Sequence, residues 1–197
     1  MMLKKIRSLV SNSSFIEIYD DVIPVYECER LISLFEKSDN KIEGHCGSPD
    51  GTAIRPEVKK TIELSQCGFS KGDSISNIIK NYLVPCVTKY THKYSDIKYI
   101  SKIGLDDVYT FQKLEHHDDG FKRWHADSGS FIDSPRVLVW MFYLNDAKSG
   151  TDFMYYPTVK GKTGRCIIWP AGFTHIHRAS PNKGLKYVVT GWISYTD

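Results

Sequence analysis

The sequence predicts an α+β protein that is mainly β, with helices in the first half of the chain and strands in the second. Helical spacing of apolar residues occurs before residue 97, and short runs rich in Val, Ile, Tyr, Phe and Trp follow from about residue 98. Such runs, separated by turn residues, are typical of a β-sandwich, barrel or jelly roll. We therefore expect one domain over residues 1–197, with an N-terminal strand and helical buttress at 1–97 and a β core at 98–197.

The N-terminal half begins with a predicted short strand, FIEIYDDVI at 15–23. Helical spacing then predicts one helix over 26–37 and a second over 74–94, in which Pro85 is expected to cause a kink or a break. The buried face of the first helix is expected to consist of Cys28, Leu31, Ile32 and Phe35. Between the two helices, the polar and glycine-bearing stretch 44–51 predicts an exposed loop.

The C-terminal half consists of strand candidates. In chain order they are VYTFQKL (108–114), FKRWHAD (121–127), RVLVWMFYLN (136–145), TDFMYY (151–156), RCIIW (165–169), THIHR (174–178) and KYVVTGWISY (186–195). Because helices precede strands and no βαβ alternation occurs, the order favours helices packed beside an antiparallel β core.

Charge, hydropathy and cysteine usage exclude several classes. The net charge of +3 is small and its charges are interleaved, which argues against a nucleic-acid partner. No apolar run approaches the roughly 18 residues of a membrane span. The five cysteines are odd in number, with no C-x-x-C pair, so we expect free thiols and a cytoplasmic location. The sequence does not indicate an oligomeric state.

Histidine and aspartate pairs are the first candidates for chemistry. The three H-x-D pairs are His116/Asp118, His117/Asp119 and His125/Asp127. The first two overlap in HHDDG, which is most simply a polar turn. His125 and Asp127 end a predicted strand, where residues two apart point to one face and are able to supply adjacent metal ligands.

A third ligand is available in WPAGFTHIHRASP, where His175 and His177 are again two residues apart. Two histidines and one carboxylate form the facial triad of non-haem Fe(II) oxygenases, which leaves coordination positions open. The same ligands suit zinc, although structural zinc normally takes four protein ligands. An anionic co-substrate that chelates the metal would need a cation at its far carboxylate, and Lys186 is available for this role, with Tyr143 as a phenolic donor to the same group. The alternatives are an exposed strand end for Lys186 and an ordinary core aromatic for Tyr143.

Ordered motifs over residues 107–195 resemble the Fe(II)- and 2-oxoglutarate-dependent dioxygenases, especially the prolyl 4-hydroxylase-like branch with its small bacterial and phage members. WHAD (124–127) matches the H-x-D element, and the strand from Arg136 ends in Y-L-N at 143–145, as in the family. SGTDF (149–153) is a partial match to the G-G-x-T-x-F turn, and 164–170 matches the G-x-(apolar)₃-P stretch before the distal histidine. The final pattern is met by His177, Pro181, Lys186, Tyr187 and Trp192.

The resemblance implies a double-stranded β-helix, a jelly-roll or cupin-like core, with the N-terminal helices packed against one sheet. It makes His125, Asp127 and His177 the catalytic iron ligands. Lys186 and Tyr143 would hold the C5 carboxylate of 2-oxoglutarate, and Thr190 and Trp192 would line the co-substrate pocket. Counting back from Pro181 and Lys186 favours His177 over His175, although strand alternation places both on one face.

The implied activity is hydroxylation of a substrate C–H bond with Fe(II), 2-oxoglutarate and O₂, giving succinate and CO₂, with ascorbate as an optional reductant. A protein or peptide substrate is expected, with peptidyl proline first. Two departures from the family concern the co-substrate: Lys186 stands where many relatives have arginine, and no clear tyrosine precedes H-x-D, where Gln112 or Leu114 lies instead.

Three alternatives stay open on the sequence. The first is a 2-oxoglutarate oxygenase that acts on another protein residue or on a small molecule. The second is a binding-only jelly roll, and the third is a zinc-dependent hydrolase on a cupin-like barrel. A binding-only module needs no metal triad, and a zinc-dependent hydrolase needs neither Lys186 nor Tyr143. Loops 44–51, 115–120 and 128–134 are candidates for contact with the substrate.

Overall fold

The computed structural model describes residues 13–48, 51–64 and 67–196. Its α-helices are α1 (Val25–Lys37) and α2 (Ser74–Lys93), and short 3₁₀ helices lie at Phe69–Lys71, Ser95–Tyr99 and Phe173–His175. The strands are β1 (Glu17–Tyr19), β2 (Lys41–Glu43), β3 (His45–Ser48), β4 (Gly51–Ile54), β5 (Lys59–Lys60), β6 (Ile62–Leu64), β7 (Ile103–Leu114), β8 (Gly120–Phe121), β9 (Arg136–Tyr143), β10 (Gly150–Phe153), β11 (Val159–Lys160), β12 (Arg165–Pro170), β13 (His177–Ala179) and β14 (Lys186–Tyr195).

A seven-stranded antiparallel sheet in the order β1-β12-β9-β14-β7-β6-β2 organises the fold. Its central strands β9, β12 and β14 are rich in β-branched and aromatic residues, which suit a pleated surface covered on both faces. Smaller units are the sheet β11-β10-β13 and the pairs β3-β4 and β5-β8. Strands from both halves of the chain share the large sheet, and the boundary expected near residue 97 stays a prediction.

The two faces of the large sheet pack against different elements. On β9, Trp140 and Phe142 point to one face and join the core that includes the buried residues of both helices. Val139 and Tyr143 point to the other face and pack with Phe153 and Val159 of the small sheet. Two sheets therefore face each other with helices behind the larger one, which confirms the double-stranded β-helix with its helical buttress.

Helix α1 buries Cys28, Leu31 and Phe35, as its spacing predicts. Helix α2 starts at an Asp73 cap whose carboxylate accepts a hydrogen bond of 2.8 Å from the Ser76 N–H. The break expected at Pro85 is wrong, because α2 continues through it. An internal proline costs about 3 kcal/mol, and burial of Leu83, Cys86 and Tyr90 against the sheet offsets this cost.

Three local predictions are wrong. The expected loop 44–51 contains strand β3 and the start of β4, with residues 49–50 outside the described part. Of the expected strand 121–127, only Phe121 belongs to a strand, and His125 makes an isolated bridge to His177. The expected strand 174–178 is a 3₁₀ turn through His175 followed by β13. In each case tertiary contacts override a short local pattern.

Among the described residues, no helix has the length and apolar character needed to cross a membrane. All five cysteines are free thiols, as expected.

Candidate active site

His125, Asp127 and His177 form a cluster in which the candidate ligand atoms all lie within 4.8 Å of one another. Two reciprocal backbone hydrogen bonds bring the histidines together: each N–H donates to the other residue's carbonyl at 3.0 Å. Asp127 follows in the adjacent loop, and its side chain is only 9% exposed. The cluster is therefore built by a tertiary bridge between two distant segments of the chain.

Backbone carbonyls set the orientation of both imidazole rings. Nδ1 of His125 lies 3.0 Å from the Arg123 carbonyl, and Nδ1 of His177 lies 3.0 Å from the His175 carbonyl. A carbonyl only accepts, so each Nδ1 carries the proton and each Nε2 keeps its lone pair. This arrangement is the one that orients metal-binding histidines.

The two carboxylate oxygens of Asp127 differ in their partners. Oδ1 accepts a hydrogen bond of 2.8 Å from the Trp192 indole N–H. Oδ2 is buried and accepts no hydrogen bond from the described residues, and it lies 3.2 Å from Nε2 of His177. Two lone-pair atoms face each other with no proton assigned between them, an arrangement that a cation would stabilise. The donor set therefore fits a metal ion, and its two imidazoles and one carboxylate suit Fe(II).

The protonation states of the cluster also suit metal binding. Burial, followed by the neighbouring His177, lowers the pKa of His125 to about 4, so this imidazole is neutral at neutral pH. Burial alone would raise the pKa of the Asp127 carboxyl, but His177, His125 and the Trp192 N–H outweigh it and hold that pKa below its usual range. Metal ligands must be deprotonated in this way.

Aromatic rings hold the two histidines from the sides. Phe121 stacks on His125 with ring centroids 3.9 Å apart. Trp169 contacts His177 edge-on, with centroids 5.1 Å apart, and Phe153 lies 5.8 Å from the same ring. These contacts restrict the rotamers of both histidines and shield the cluster from water.

A cavity of about 760 Å³ connects the cluster to Lys186. Lys186 is 3% exposed, and its ammonium is 3.4 Å from the Gly150 carbonyl. Burial lowers the pKa of Lys186 to about 8, against a smaller opposing effect of Asp152. A buried, incompletely paired cation on a cavity wall is a site for a carboxylate or a phosphate.

Tyr143, Thr190 and Trp192 line the same cavity. The Tyr143 hydroxyl shares a hydrogen bond of 2.7 Å with the Thr151 hydroxyl, and burial raises the pKa of the phenol. Thr190 has a buried hydroxyl with no hydrogen-bond partner in the part of the chain that the structure describes. Register explains the shared wall, since β14 pairs Val188 with Tyr143 on β9 and Lys186 with Leu114 on β7.

His175 does not join the cluster. Its Nε2 lies 2.8 Å from the Ser14 carbonyl, and its ring stacks on Tyr156 with centroids 5.1 Å apart. The prediction that His175 and His177 share one strand face is wrong, because the 3₁₀ turn rotates His175 away. His175 nevertheless orients His177, through its backbone carbonyl.

Two contributions to the site are missing from the sequence-based predictions. Trp192 was expected only as a pocket wall, yet it holds Asp127. Arg136 packs over Trp192, with its guanidinium carbon 3.9 Å from the ring centroid, and donates a hydrogen bond of 3.2 Å to the Asp127 carbonyl. Even spacing from Lys186 put Trp192 on the cavity face, but no local pattern predicted its hydrogen bond to Asp127. His116 and His117 lie in an exposed turn capped by Asp119.

Residues 108–194 match the model of the 2OG-Fe(II) oxygenase superfamily, and this segment contains the His-Asp-His cluster and Lys186. No curated protein matches the chain. Among solved structures, a viral collagen prolyl hydroxylase from Paramecium bursaria Chlorella virus 1 in complex with 2OG has 16% identity and a TM-score of 0.63, covering 95% of this chain and 99% of its own.

Two other solved structures are similar over nearly their whole length. A Trichoplax adhaerens prolyl hydroxylase in complex with a hypoxia-inducible-factor peptide fragment has 14% identity and a TM-score of 0.71, with coverage of 98% and 92%. A Pseudomonas putida prolyl-4-hydroxylase has 14% identity and a TM-score of 0.63, with coverage of 100% for both chains. At these identities the likeness establishes the fold.

The family match over residues 108–194, together with the fold and the cluster, defines a non-haem iron oxygenase built on a double-stranded β-helix. The chain carries a 2OG-Fe(II) oxygenase domain and is a 2-oxoglutarate-dependent dioxygenase with Fe(II) as its metal, which confirms the resemblance seen in the motifs.

Proposed function

We propose that this dioxygenase is a prolyl hydroxylase in which His125, Asp127 and His177 bind the iron. The observation that carries the ligand assignment is the pair of facing lone-pair atoms, Asp127 Oδ2 and His177 Nε2, 3.2 Å apart in a buried site. With His125 Nε2 they offer three ligands and leave the remaining coordination positions open for co-substrate and O₂.

Lys186 and Tyr143 bind the C5 carboxylate of 2-oxoglutarate in this proposal. Support comes from the buried ammonium of Lys186 and the buried phenol of Tyr143, which line the cavity that reaches the cluster. A carboxylate there gains charge-assisted hydrogen bonds and relieves the desolvation of the lysine. Thr190 and Trp192 line the same cavity and complete the co-substrate pocket in this proposal.

Fe(II) with 2-oxoglutarate and O₂ supplies the oxidation, which converts 2-oxoglutarate to succinate and CO₂ while a substrate C–H bond becomes C–OH. The protein positions the three ligands and shields them from water. Trp192 and the carbonyls of Arg123 and His175 hold the three ligands in one geometry, and Phe121, Phe153 and Trp169 exclude water around them. Lys186 compensates the charge of the far carboxylate and thereby sets the reach of the co-substrate into the cavity.

The substrate in this proposal is a peptide that contains proline. The support is the activity of the similar structures, which are a viral collagen prolyl hydroxylase, a bacterial prolyl-4-hydroxylase and a prolyl hydroxylase in complex with a peptide fragment. The cavity is also lined by His45, Cys46 and Thr52 of the β3-β4 hairpin, so it extends beyond the His-Asp-His cluster and Lys186.

Two measurements test the proposal in turn. Anaerobic addition of 2-oxoglutarate to the Fe(II) protein should produce a metal-to-ligand charge-transfer band that is absent from the Lys186→Ala variant at the same concentration. Peptides with and without proline are then incubated with the complete system, and mass spectrometry reads the gain of one oxygen atom. Oxidation of a residue other than proline, with the band intact, would retain the dioxygenase and replace the substrate.

A further inference from the structure

A buried ion pair lies in the cavity outside the metal cluster and the co-substrate pocket. Lys59 and Glu63 are 8% and 5% exposed, and both line the cavity. The Lys59 ammonium is 2.7 Å from Glu63 Oε1, and the Thr61 hydroxyl donates to the same oxygen at 2.9 Å. Charges are rarely buried unless they are paired, so this position has a specific structural cause.

The pair connects the base of the β3-β4 hairpin to the wall of the cavity. The Lys59 ammonium also donates a hydrogen bond of 2.9 Å to the His45 carbonyl, at the first residue of β3. Just before it, the Gly44 N–H donates to the Thr61 carbonyl at 2.8 Å. A Cβ at Gly44 would collide with the Thr61 hydroxyl and crowd Glu63 Oε1, so only glycine allows this close approach.

The same ion pair is linked to His125 of the His-Asp-His cluster through one intervening residue. Lys59 is in register with Phe121 in the β5-β8 pair, and Phe121 stacks on His125. Glu63 is in register with Gln112 of β7, which also lines the cavity. One ammonium–carboxylate pair therefore links three parts of a single cleft: the hairpin, the large sheet and the strand beside the cluster.

We propose that Lys59 is a positioning residue for substrate binding, which through Glu63 and the His45 carbonyl fixes the β3-β4 hairpin as the substrate-side wall of the cleft. The inference concerns the site of the proposed function and rests on it for the substrate, whereas the tether itself is independent of the substrate. A solvent-exposed ion pair would hold a hairpin weakly, but a buried one leaves an uncompensated charge when either partner is removed. The hairpin is therefore held by the Lys59 tether in addition to the hydrogen bonds between β3 and β4.

Hydrogen exchange of the hairpin amides tests the tether without any substrate, in the protein loaded with Mn²⁺ and 2-oxoglutarate. Lys59→Met should accelerate exchange at residues 44–48 and 51–54 by about tenfold or more, with little change in α1 or β14. The matched control is Lys60→Met on the same strand, because Lys60 pairs with Asp118 at 3.1 Å in an exposed position. The control should leave hairpin exchange unchanged.

Because Lys59→Met leaves a buried carboxylate, the double variant Lys59→Met/Glu63→Leu is the second test. An apolar pair of similar volume keeps the fold but lacks the hydrogen bond to the His45 carbonyl, so hairpin exchange should again be fast. Unchanged hairpin exchange in this folded double variant would overturn the proposal.

Kinetics complete the test. Both Lys59 variants should raise the KM for a proline-containing peptide about tenfold, while the KM for 2-oxoglutarate stays within about twofold of wild type. Fast hairpin exchange with an unchanged peptide KM would overturn the role in substrate binding. If no proline peptide is oxidised by the wild type, the proposed substrate fails, and the exchange result still decides the tether.

Discussion

The indole of Trp192 donates a hydrogen bond of 2.8 Å to Oδ1 of Asp127 and thereby decides which carboxylate oxygen faces His177. Arg136 covers the other side of that indole with its guanidinium carbon 3.9 Å from the ring centroid. The Asp127 carboxylate is therefore oriented by a residue 65 positions away in the chain. Partners of metal ligands set the geometry of the ligands themselves.

Trp192→Phe should weaken Fe(II) binding by about 10- to 100-fold, because Asp127 loses the donor that orients it. Competition of Fe(II) against a fluorescent chelator measures the change. Trp124→Phe is the control, since Trp124 is 39% exposed and contacts Arg178 rather than Asp127. Equal metal affinity of the Trp192 variant and wild type would contradict the orienting role.

Asp127→Ala should abolish succinate formation with Fe(II) and leave the fold intact, because it removes the carboxylate of the cluster and relieves a buried charge. The paired control is His116→Ala/His117→Ala, which changes two exposed histidines in a turn. Turnover of Asp127→Ala close to wild type would rule out the proposed ligand set.

His177→Ala and His175→Ala should separate two roles of neighbouring histidines. The first should eliminate metal binding, since it removes an Nε2 ligand atom. The second should keep metal binding, because His177 is oriented by the backbone carbonyl of residue 175. His175→Ala should instead lower the free energy of unfolding by about 1–3 kcal/mol, through loss of the bond to the Ser14 carbonyl. Denaturant unfolding and metal titration together check both outcomes.

Lys186→Ala should weaken 2-oxoglutarate binding by roughly 10- to 150-fold, which corresponds to loss of about 1.5–3 kcal/mol of charge-assisted hydrogen bonding. Lys186→Met should bind 2-oxoglutarate as poorly while stabilising the free protein at pH 7 by about 2–3 kcal/mol, because the pKa lowered to about 8 reflects a desolvated ammonium. An unchanged 2-oxoglutarate KM in both variants would place the carboxylate elsewhere.

The pH dependence of 2-oxoglutarate affinity follows from the same lysine. Below pH 8 the ammonium of Lys186 is charged in the free protein, so its contribution to affinity is constant. Above pH 8 the free protein has lost that proton while the bound carboxylate favours it, so binding takes up a proton and the Kd rises by up to about tenfold per pH unit. Isothermal titration at pH 7–9.5 in two buffers measures both the Kd and the proton uptake. In Lys186→Met the Kd should be independent of pH over this interval.

The strands of the large sheet were predictable because their local patterns and their tertiary environments agree. KYVVTGWISY and RVLVWMFY are long and dense in β-branched and aromatic residues, and they form β14 and most of the predicted β9 segment. The spacing of α1 likewise matches its buried face. In contrast, the strand predicted at 121–127 was wrong, because the described pairing of this run beyond Phe121 is the isolated bridge from His125 to His177 rather than a ladder.

The residue types of the His-Asp-His cluster and of the cavity wall at Lys186 were visible in the sequence, because the H-x-D pair, the distal histidine and Lys186 follow the order of the family motifs. The choice between His175 and His177, in contrast, depended on the tertiary structure. Alternation treats residues two apart as equivalent, and only the 3₁₀ turn at 173–175, closed by the bond from His175 to the Ser14 carbonyl, turns one ring away. The hydrogen bond from Trp192 to Asp127 likewise joins residues 65 positions apart in the chain, and the bond from Lys59 to the His45 carbonyl joins residues 14 positions apart. Such contacts depend on how the sheets close around the cavity, and local spacing carries no information about that closure.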